Sequence, residues 1–528
     1  MPQTRRNLLL TGVSAALAAP VIVRAQAQTT LKLIPQADLA VLDPVWTTAY
    51  VTRNHGLAVF DTLYGQDEAF RPQPQMLEGH SIDEDGRRWR LVLRDGLRFH
   101  DGTPVLARDA VASIRRWGAR DAFGQALLAA TAELSAADDR TVQFRLHAPF
   151  PLLPDALGKA GPNICAIMPE RLASTDPFKQ VTEMVGSGPF RFLADERVSG
   201  ARVAYARFDG YTPRAEGTPS WTAGPKRAFF DRVEWHVIPD TATAAAALQR
   251  GEMDWWEKLD FDQKPKLARD PNLQVFVVET TGNCGFLRFN CLHPPFDNPA
   301  IRRALLGAVD QADFMQAVAG DDTTATRTGV GYFTPGAPMA SDSGLQALTS
   351  QRDPAAVRRA LEAAGYRGER VVVMVATDFP TLAALGNVGA DMLRRCGMNV
   401  DQVTTDWGTI VQRRASRAAP DKGGWNVFFS TFTGLDMMSP AVNSGLRGNG
   451  PAAWFGWPDA PRLEALRAEW FAAPDPAAQQ AISRQMQLQA FQDVPFLPLG
   501  QYFQSTVQRR SLTGTLTGLP LFWNVRRA

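Results

Sequence analysis

The sequence predicts an α/β fold that is divided between at least two domains. Three apolar segments of strand length, Val371–Thr377, Met398–Thr405 and Trp425–Ser430, are separated by two segments of helical length, Pro380–Cys396 and Gly408–Ala418. Strands that alternate with helices in this way are typical of βαβ units and therefore of a parallel sheet. The chain has 528 residues, of which 45% are hydrophobic, so it can bury more than one core.

Local signals predict elements in the first half of the chain as well. An apolar strand at Leu31–Ile34 is followed by a loop and then by a helix over Thr52–Leu63. A further strand is expected at Asp231–Ile238. Asn298 and Pro299 are the residue types that helices prefer at the N-cap and at the first helical position, so a helix is expected to begin there.

Residues 89–117 combine the patterns of strand, turn and helix. Apolar and charged residues alternate over Trp89–Leu93, Asp95-Gly96 has the composition of a tight turn, and Leu97–Phe99 is expected to resume extended chain. A helix is then predicted from its apolar positions, which recur at helical spacing: Ala110, Val111, Ile114 and Trp117. His100 lies in the turn between these parts, and we interpret it as a hydrogen-bonded structural residue.

Several segments resemble the motifs of one family. RDGLRFHDGTP (94–104) and ARDAV (107–111) are similar to the signature of the family 5 solute-binding proteins of ABC importers, a group that contains dipeptide- and oligopeptide-binding proteins. GSGPF (186–190) resembles the GTGP[YF] turn of the same family, and residues 289–305 resemble its FNxxxPF segment with the helix that follows. The resemblance covers nearly the whole chain after the N-terminal segment.

The resemblance implies a two-lobed periplasmic-binding-protein type II fold (cluster C) with an extra α+β subdomain inserted in lobe I. Lobe I is then expected to be discontinuous, whereas lobe II is a single stretch of chain. The implied ranges are 28–60, 186–282 and 497–528 for lobe I, 61–185 for the inserted subdomain, and 283–496 for lobe II.

The N-terminus has the pattern of an export signal. Arg5-Arg6 precedes an apolar run from Leu8 to Val23, and Ala25-Gln26-Ala27 has the small-x-small pattern of a cleavage site. We therefore predict a twin-arginine signal peptide over residues 1–27, cleaved near Ala27, and a periplasmic mature protein. An uncleaved membrane anchor is the alternative, and the route could equally be the general secretory one.

Charge and cysteine usage exclude some classes of function. Loss of the three arginines in residues 1–27, with no acidic residue, changes the formal net charge from +2 to −1. A nearly neutral chain has no electrostatic basis for binding nucleic acid. The four cysteines show no CxxC spacing, so no metal site is expected; they are interpreted as scattered thiols or at most one disulfide.

The sequence contains no recognisable catalytic motif. The GxSxG, HExxH and P-loop patterns are all missing from it. We therefore expect no enzyme, no catalytic residue and no cofactor. A periplasmic hydrolase that uses dispersed residues and a chaperone that holds peptides remain as alternatives from other functional classes.

Three loops are candidates for the ligand site. In open parallel sheets, ligands bind beyond the carboxyl ends of the strands. The loops that follow the three predicted strands of the parallel sheet are Asp378-Phe379, Asp406-Trp407 and Thr431–Pro440.

Asp436 is the main candidate in the third loop. The resemblance implies that this aspartate, four residues before Pro440, pairs with the α-ammonium group of a peptide ligand. A cleft that closes over a cation needs a fixed counter-charge. Met437 and Met438 depart from the aromatic flank of the peptide-binding members. The alternative is that Asp436 caps a short helix or solvates a turn.

The other candidate ligand-binding residues are Trp407, Thr433 and three residues of lobe I, which are Thr47, Thr48 and Tyr50. The resemblance implies that Trp407 packs on the ligand, although it could equally be a core residue. The lobe I residues follow the turn at Leu42-Asp43-Pro44, where relatives contact their ligands.

The expected function is that of a periplasmic substrate-binding component of an ABC transporter. It would capture short peptides or related amine-bearing solutes in an inter-lobe cleft, act as a monomer, and deliver the ligand to inner-membrane permease subunits. Within the same family, an opine, an oligosaccharide, glutathione or a metal chelate is the alternative ligand.

Overall fold

The computed structural model describes residues 29–528, and the predicted signal peptide lies outside this range. Most strands belong to two large sheets and one smaller sheet. The strands are, in chain order, β1 (Thr30–Ile34), β2 (Tyr64–Gln66), β3 (Pro72–Pro74), β4 (Leu77–Asp83), β5 (Arg88–Leu93), β6 (Thr131–Ala136), β7 (Thr141–Leu146), β8 (Phe190–Phe192), β9 (Arg202–Arg207), β10 (Arg232–His236), β11 (Trp255–Trp256), β12 (Leu273–Phe276), β13 (Asn283–Phe289), β14 (Thr326–Arg327), β15 (Arg370–Ala376), β16 (Asn399–Thr405), β17 (Val427–Thr433), β18 (Phe496–Tyr502), β19 (Thr506–Arg509), β20 (Leu512–Thr513) and β21 (Arg526–Arg527).

Helices cover the sheets. They are α1 (Tyr50–Val59), α2 (Ala107–Gly118), α3 (Ala122–Ala130), α4 (Leu153–Gly158), α5 (Glu170–Ala173), α6 (Thr241–Arg250), α7 (Lys264–Leu267), α8 (Pro299–Ala304), α9 (Gln311–Ala319), α10 (Gln346–Thr349), α11 (Pro354–Ala363), α12 (Pro380–Arg395), α13 (Trp407–Arg413), α14 (Pro461–Phe471) and α15 (Pro476–Asp493). In the part of the chain that the structure describes, none of them combines the length and the apolar character that a bilayer-spanning helix needs.

The first large sheet defines lobe I. Its seven strands have the order β12-β19-β11-β1-β10-β9-β8, with β1 parallel to β10 and β11 at the centre. These strands come from three separate stretches of the chain: the N-terminal strand, residues 190–276 and residues 506–509.

The second large sheet defines lobe II, and its order is β14-β18-β13-β17-β15-β16. β15 is parallel to both β16 and β17, which confirms the predicted parallel arrangement of the three strands. β13 and β18 are antiparallel to their neighbours, so the sheet is mixed. β18 pairs with β13 in this sheet, and β19 is the next strand to join the first large sheet, so the strand pairing puts this change of sheet after Tyr502 and not at residue 497.

A four-stranded antiparallel sheet, β4-β5-β7-β6, lies between residues 77 and 146. The predicted strand at Trp89–Leu93 is β5, but the extended segment Leu97–Phe99 does not join the sheet. It forms only an isolated bridge between Arg98 and Pro104. The reason is that β5 is already paired on both sides, with β4 and with β7, so no edge of β5 is left for a hairpin partner.

A buried ion pair joins the β1–α1 loop to α2. The Arg116 guanidinium donates to both carboxylate oxygens of Asp43, at 3.2 and 2.6 Å. The backbone N–H groups of Val45 and Val181 donate to the same carboxylate. Both ionic side chains are almost fully buried. Such a pair is tolerated because each charge is neutralised and hydrogen-bonded.

His100 connects the segment after β5 to the glycine-rich turn before β8, as expected of a structural residue. The Gly186 N–H donates to its Nδ1 at 3.3 Å, and its Nε2 donates to the carbonyl oxygen of Gly188 at 3.0 Å. Both contacts suit a neutral ring. Burial lowers the pKa of His100 from 6.5 to about 4, because the charged form would lose its hydration.

This depressed pKa predicts a loss of stability in mild acid. A histidine that is neutral in the folded state binds protons more readily when the chain is unfolded, so its contribution is complete above pH 6.5 and falls as the pH drops towards 4. We expect a loss of up to about 3 kcal/mol over this range. Urea denaturation at several pH values measures it. His100→Gln should flatten the dependence and the exposed His147→Gln should not; equal slopes in all three proteins would contradict the prediction.

Candidate functional site

A cleft between the two lobes contains two adjoining cavities. One has a volume of about 390 Å³ and the other of about 620 Å³. We call the smaller one the inner cavity and the larger one the outer cavity. They share residues from lobe I and from lobe II, which are Gln36, Ala37, Ala49, Val51, Phe379 and Trp407.

The carboxyl ends of the parallel strands in lobe II form one wall of this cleft. Phe379 follows β15, Trp407 follows β16, and Asp436 follows β17. The first two loops are tied together, because the Trp407 N–H donates to the Asp378 carboxylate at 2.7 Å. The Asp406 side chain accepts the N–H of Thr409 and so caps α13. The loops predicted from the strand pattern therefore meet at one edge of the sheet.

Aromatic side chains supply much of the surface of the inner cavity. The Phe379 and Trp407 rings meet edge to face with their centroids 6.5 Å apart. Large planar rings provide contact area with little loss of conformational entropy on binding. The aromatic residues of the lining are Trp46, Tyr50, Phe178, Phe379, Trp407, Phe432, Trp454, Phe455 and Trp457.

Asp436 lies in a buried 3₁₀ turn, Gly434–Met437, at the floor of the inner cavity. Its Oδ2 accepts a hydrogen bond from the Tyr50 hydroxyl of lobe I and another from Thr433 Oγ1, at 2.9 Å. The Tyr50 oxygen also accepts the Thr433 N–H, at 2.6 Å. No hydrogen bond reaches Oδ1 from residues 29–528. Burial raises the pKa of the Asp436 carboxyl above its usual value.

Gly161 of lobe I approaches the same carboxylate. A Cβ added at Gly161 would lie 2.5 Å from Asp436 Oδ1, so only glycine fits at this approach. Nearby, Lys159 forms an ion pair with Asp121 and donates to the carbonyl oxygen of Pro162 at 2.6 Å. Asp436 Oδ1 thus faces a segment of lobe I that contains Gly161 and Lys159, whose charge is already paired with Asp121.

The candidates from the sequence fall into two groups. Tyr50, Thr48, Trp407 and Asp436 all line the inner cavity. Thr47 and Thr433 line neither cavity, because both side chains are used internally. Thr47 Oγ1 accepts the Ala49 N–H at 3.3 Å, and Thr433 bonds Asp436.

Sequence reasoning missed Arg414 and the aromatic segment at Trp454–Trp457. Arg414 follows the last residue of α13, two helical turns after Trp407 and on the same face of that helix. That spacing was the available signal. The second segment gave none, because residues 454–457 belong to no regular element and reach the cavity only through tertiary packing.

Within residues 29–528, no three or more His, Cys, Asp and Glu side chains are arranged to hold a metal ion. All four cysteines are free thiols, and burial raises the pKa of each of them.

The Tyr50 hydroxyl makes hydrogen bonds across the cleft, and its removal should loosen the free protein. In Tyr50→Phe, Asp436 loses a donor and the Thr433 N–H loses its acceptor. We expect a loss of about 1–3 kcal/mol in the free energy of unfolding, because two buried polar groups lose a partner.

The radius of gyration of ligand-free Tyr50→Phe, measured by small-angle X-ray scattering, should also increase. The matched control is Tyr64→Phe, which removes a hydroxyl that bonds His80 within one lobe. An unchanged radius of gyration in Tyr50→Phe would contradict the role of this hydroxyl in holding the lobes together.

Comparison with known proteins places this geometry in a family. Residues 71–453 match the family model of bacterial extracellular solute-binding proteins, family 5 middle. A probable peptide ABC transporter periplasmic-binding protein from Sinorhizobium fredii is 37% identical over 544 aligned residues, which cover 100% of both chains. A glutathione-binding protein from Pectobacterium atrosepticum is 24% identical and aligns over 97% of this chain and 95% of its own length.

Solved structures agree in fold. The periplasmic binding protein AgaA from A. tumefaciens R10, in complex with agropinic acid, has a TM-score of 0.79 at 20% identity and covers 94% of this chain and 99% of its own. An ABC transporter-associated periplasmic binding protein from Helicobacter pylori, in complex with the peptide STSA, has a TM-score of 0.78 at 19% identity, covering 95% and 98%. The protein therefore has the two-lobed fold of periplasmic binding proteins, and it belongs to the family 5 bacterial extracellular solute-binding proteins.

Proposed function

We propose that the protein is the periplasmic substrate-binding component of an ABC importer and captures short peptides or related amine-bearing solutes between its lobes. It delivers them to inner-membrane permease subunits, acts as a monomer and carries out no catalysis. The observation that carries the proposal is the buried Asp436 carboxylate at the floor of the inner cavity, with Oδ1 free of hydrogen bonds from residues 29–528. The probable peptide-binding relative supports the choice of ligand class.

Asp436 is suited to hold an ammonium group. A buried carboxylate is unfavourable unless it is paired, and its own chain satisfies only Oδ2. A ligand ammonium at Oδ1 would supply the missing positive charge at a place from which bulk water is excluded. The binding energy of such a pair resists dissociation, since release leaves the carboxylate buried and alone.

We propose that three of the remaining candidate residues contact the ligand and that the other two hold the site in place. Trp407, Tyr50 and Thr48 line the inner cavity. We propose that the two rings pack on the ligand and that the Thr48 hydroxyl contacts it. Thr433 affects the ligand only indirectly, because its Oγ1 fixes the orientation of the Asp436 carboxylate. Thr47 acts on the backbone at the start of α1.

Ligand capture follows from closure of the two lobes. Solvent enters the cleft when the lobes separate, and the ligand bridges residues of both when they approach. The closed, liganded form then docks on the permease. For this hinge motion we propose lobe I as residues 28–60, 186–282 and the chain after Tyr502, a subdomain at 61–185, and lobe II as the intervening chain.

The ligands that are named for a relative and for a structural neighbour belong in the same test. Their names include glutathione and agropinic acid. A calorimetric screen of the purified protein should therefore contain di- and tripeptides, glutathione, opines, a neutral oligosaccharide and a nickel–histidine chelate. Turnover of any of these compounds, abolished by one substitution, would favour a hydrolase instead.

Asp436→Asn should abolish tight binding of peptides with a free N-terminus. Loss of the charge partner is expected to cost about 2–5 kcal/mol of binding free energy. N-acetylated peptides should bind the unaltered protein as weakly as free peptides bind the variant. Because burial raises the pKa of Asp436, affinity should fall in mild acid, at a higher pH than for an exposed aspartate.

Isothermal titration calorimetry measures these affinities. Asp421→Asn is the matched control, since Asp421 is exposed in the same lobe and lines neither cavity. Tight binding of a neutral sugar that is unaffected by Asp436→Asn would overturn the amine proposal.

The periplasmic location is proposed from residues 1–27 together with the family. Expression of the full chain in a Gram-negative host should yield a periplasmic protein whose intact mass corresponds to cleavage near Ala27. Replacement of Arg5 and Arg6 by lysine should leave the precursor in the cytoplasm. Normal export of that variant would indicate the general secretory route.

A further inference from the structure

Three phenylalanine rings form a contact between lobe II and the proposed subdomain at 61–185. Phe123 is near the start of α3, Phe150 precedes α4, and Phe471 is the last residue of α14. The Phe471 ring centroid lies 5.9 Å from the centroids of both other rings, and the Phe471 and Phe150 rings are stacked with 26° between their planes. The Phe123 and Phe150 centroids are 6.3 Å apart. We call these three rings the aromatic contact.

The two sides of the aromatic contact belong to different parts of the molecule. α3 packs on α2, α4 and β6, and β6 is a strand of the four-stranded sheet. α14 packs on α15, and α15 packs on α8 and precedes β18 of the second large sheet. In residues 29–528, the chain passes between the two large sheets at 277–282 and at 503–505. The rings therefore meet between the lobes and are not neighbours along the chain.

The aromatic contact is separate from the hydrogen bonds of Tyr50. Tyr50 shares a small cavity of about 20 Å³ with Glu279 and Gln504, which lie on the two connecting segments, so its bonds lie beside the hinge. None of the three rings lines the inner or the outer cavity. Two residues that do line the inner cavity are bonded across the cleft, because Arg447 Nη1 donates to Gln125 Oε1 of α3 at 3.1 Å. The aromatic contact can therefore influence a ligand only through the position of the subdomain.

Burial of the three rings favours the arrangement in which the cleft is closed. Phe123 and Phe150 are buried, and Phe471 is partly buried. Separation of the subdomain from lobe II would return these apolar surfaces to water, which is unfavourable. Stacked and edge-to-face rings also attract each other beyond the effect of the area that they bury. The closed form thus has a source of stability that does not involve the ligand.

We propose that Phe471 is a positioning residue for ligand capture, because its packing on Phe123 and Phe150 holds the subdomain against lobe II. It then sets the fraction of the ligand-free protein whose cleft is closed. This inference rests on the proposed function, since it assumes that closure of the lobes captures the solute. The apparent affinity of a ligand that binds the closed form scales with the fraction of protein in that form. Phe471 should therefore change the affinity for every ligand by the same factor.

Small-angle X-ray scattering of the ligand-free protein tests whether Phe471 keeps the cleft closed. Phe471→Ala should increase the radius of gyration, because it removes the ring that both subdomain rings contact. Phe471→Leu keeps an apolar side chain and should give an intermediate value. The matched control is Leu488→Ala, which truncates an exposed apolar side chain on α15 of the same lobe and should leave the radius of gyration unchanged.

Titration calorimetry and stopped-flow kinetics test the effect on affinity, with Ala-Ala and glutathione as the probes. Phe471→Ala should lower the affinity for both probes by the same factor, about 10-fold, and mainly through faster dissociation. Leu488→Ala should leave both affinities as they are.

The outcomes distinguish this inference from the proposed function. Equal radii of gyration for the unaltered protein and Phe471→Ala would overturn the inference, and the same comparison with Phe471→Leu decides if the alanine variant fails to fold. A loss of affinity for one probe and not for the other would also overturn it, because Phe471 would then act on the ligand and not on closure. If neither probe binds the unaltered protein, the proposed ligand class is wrong, and the scattering comparison still decides the role of Phe471.

Discussion

The Tyr50 hydroxyl of lobe I joins the two lobes at the floor of the cleft. Tyr50 at the start of α1 donates to Asp436 and accepts the N–H of Thr433, so a single phenol satisfies an acceptor and a donor of the opposite lobe. Gly161 can approach the same carboxylate only because it has no Cβ. These contacts fix where the 3₁₀ turn of lobe II lies relative to lobe I, and with it the shape of the inner cavity.

Buried charged groups are fully paired in the scaffold and incompletely paired in the cleft. In the scaffold, Asp43 accepts four hydrogen bonds, two of them from the bidentate Arg116, and Lys226 bonds the equally buried Asp61 at 2.7 Å. In the cleft, Asp436 has one free oxygen and Arg414 has donors without acceptors. Buried charges that lack partners reduce stability, and they are therefore characteristic of places where a ligand completes the pairing.

Sequence patterns predicted the lobe II strands well and the cleft in part. β15, β16 and β17 followed from hydrophobic runs that helices separate, and their parallel order brought Trp407 and Asp436 to one edge. The strand expected at Leu97–Phe99 was wrong, since β5 found both partners elsewhere in the chain. The lobe boundary expected at residue 497 falls within β18, which pairs with β13 in the second large sheet. In each case the pairing with a strand that is distant in the chain determined the arrangement.

The sequence by itself determined the family, the helices and strands with strong periodicity, and the loops at the strand ends, because these depend on residue type and local spacing. Only the tertiary structure decided which side chains face the cleft. Arg414 becomes a buried cation when Phe455 and Trp454, some forty residues away in the chain, fold over it. The Tyr50 hydroxyl of the other lobe donates to Asp436 Oδ2 and leaves Oδ1 without a hydrogen bond from the described residues. Burial and pairing arise from contacts between distant segments, so no local pattern contains them.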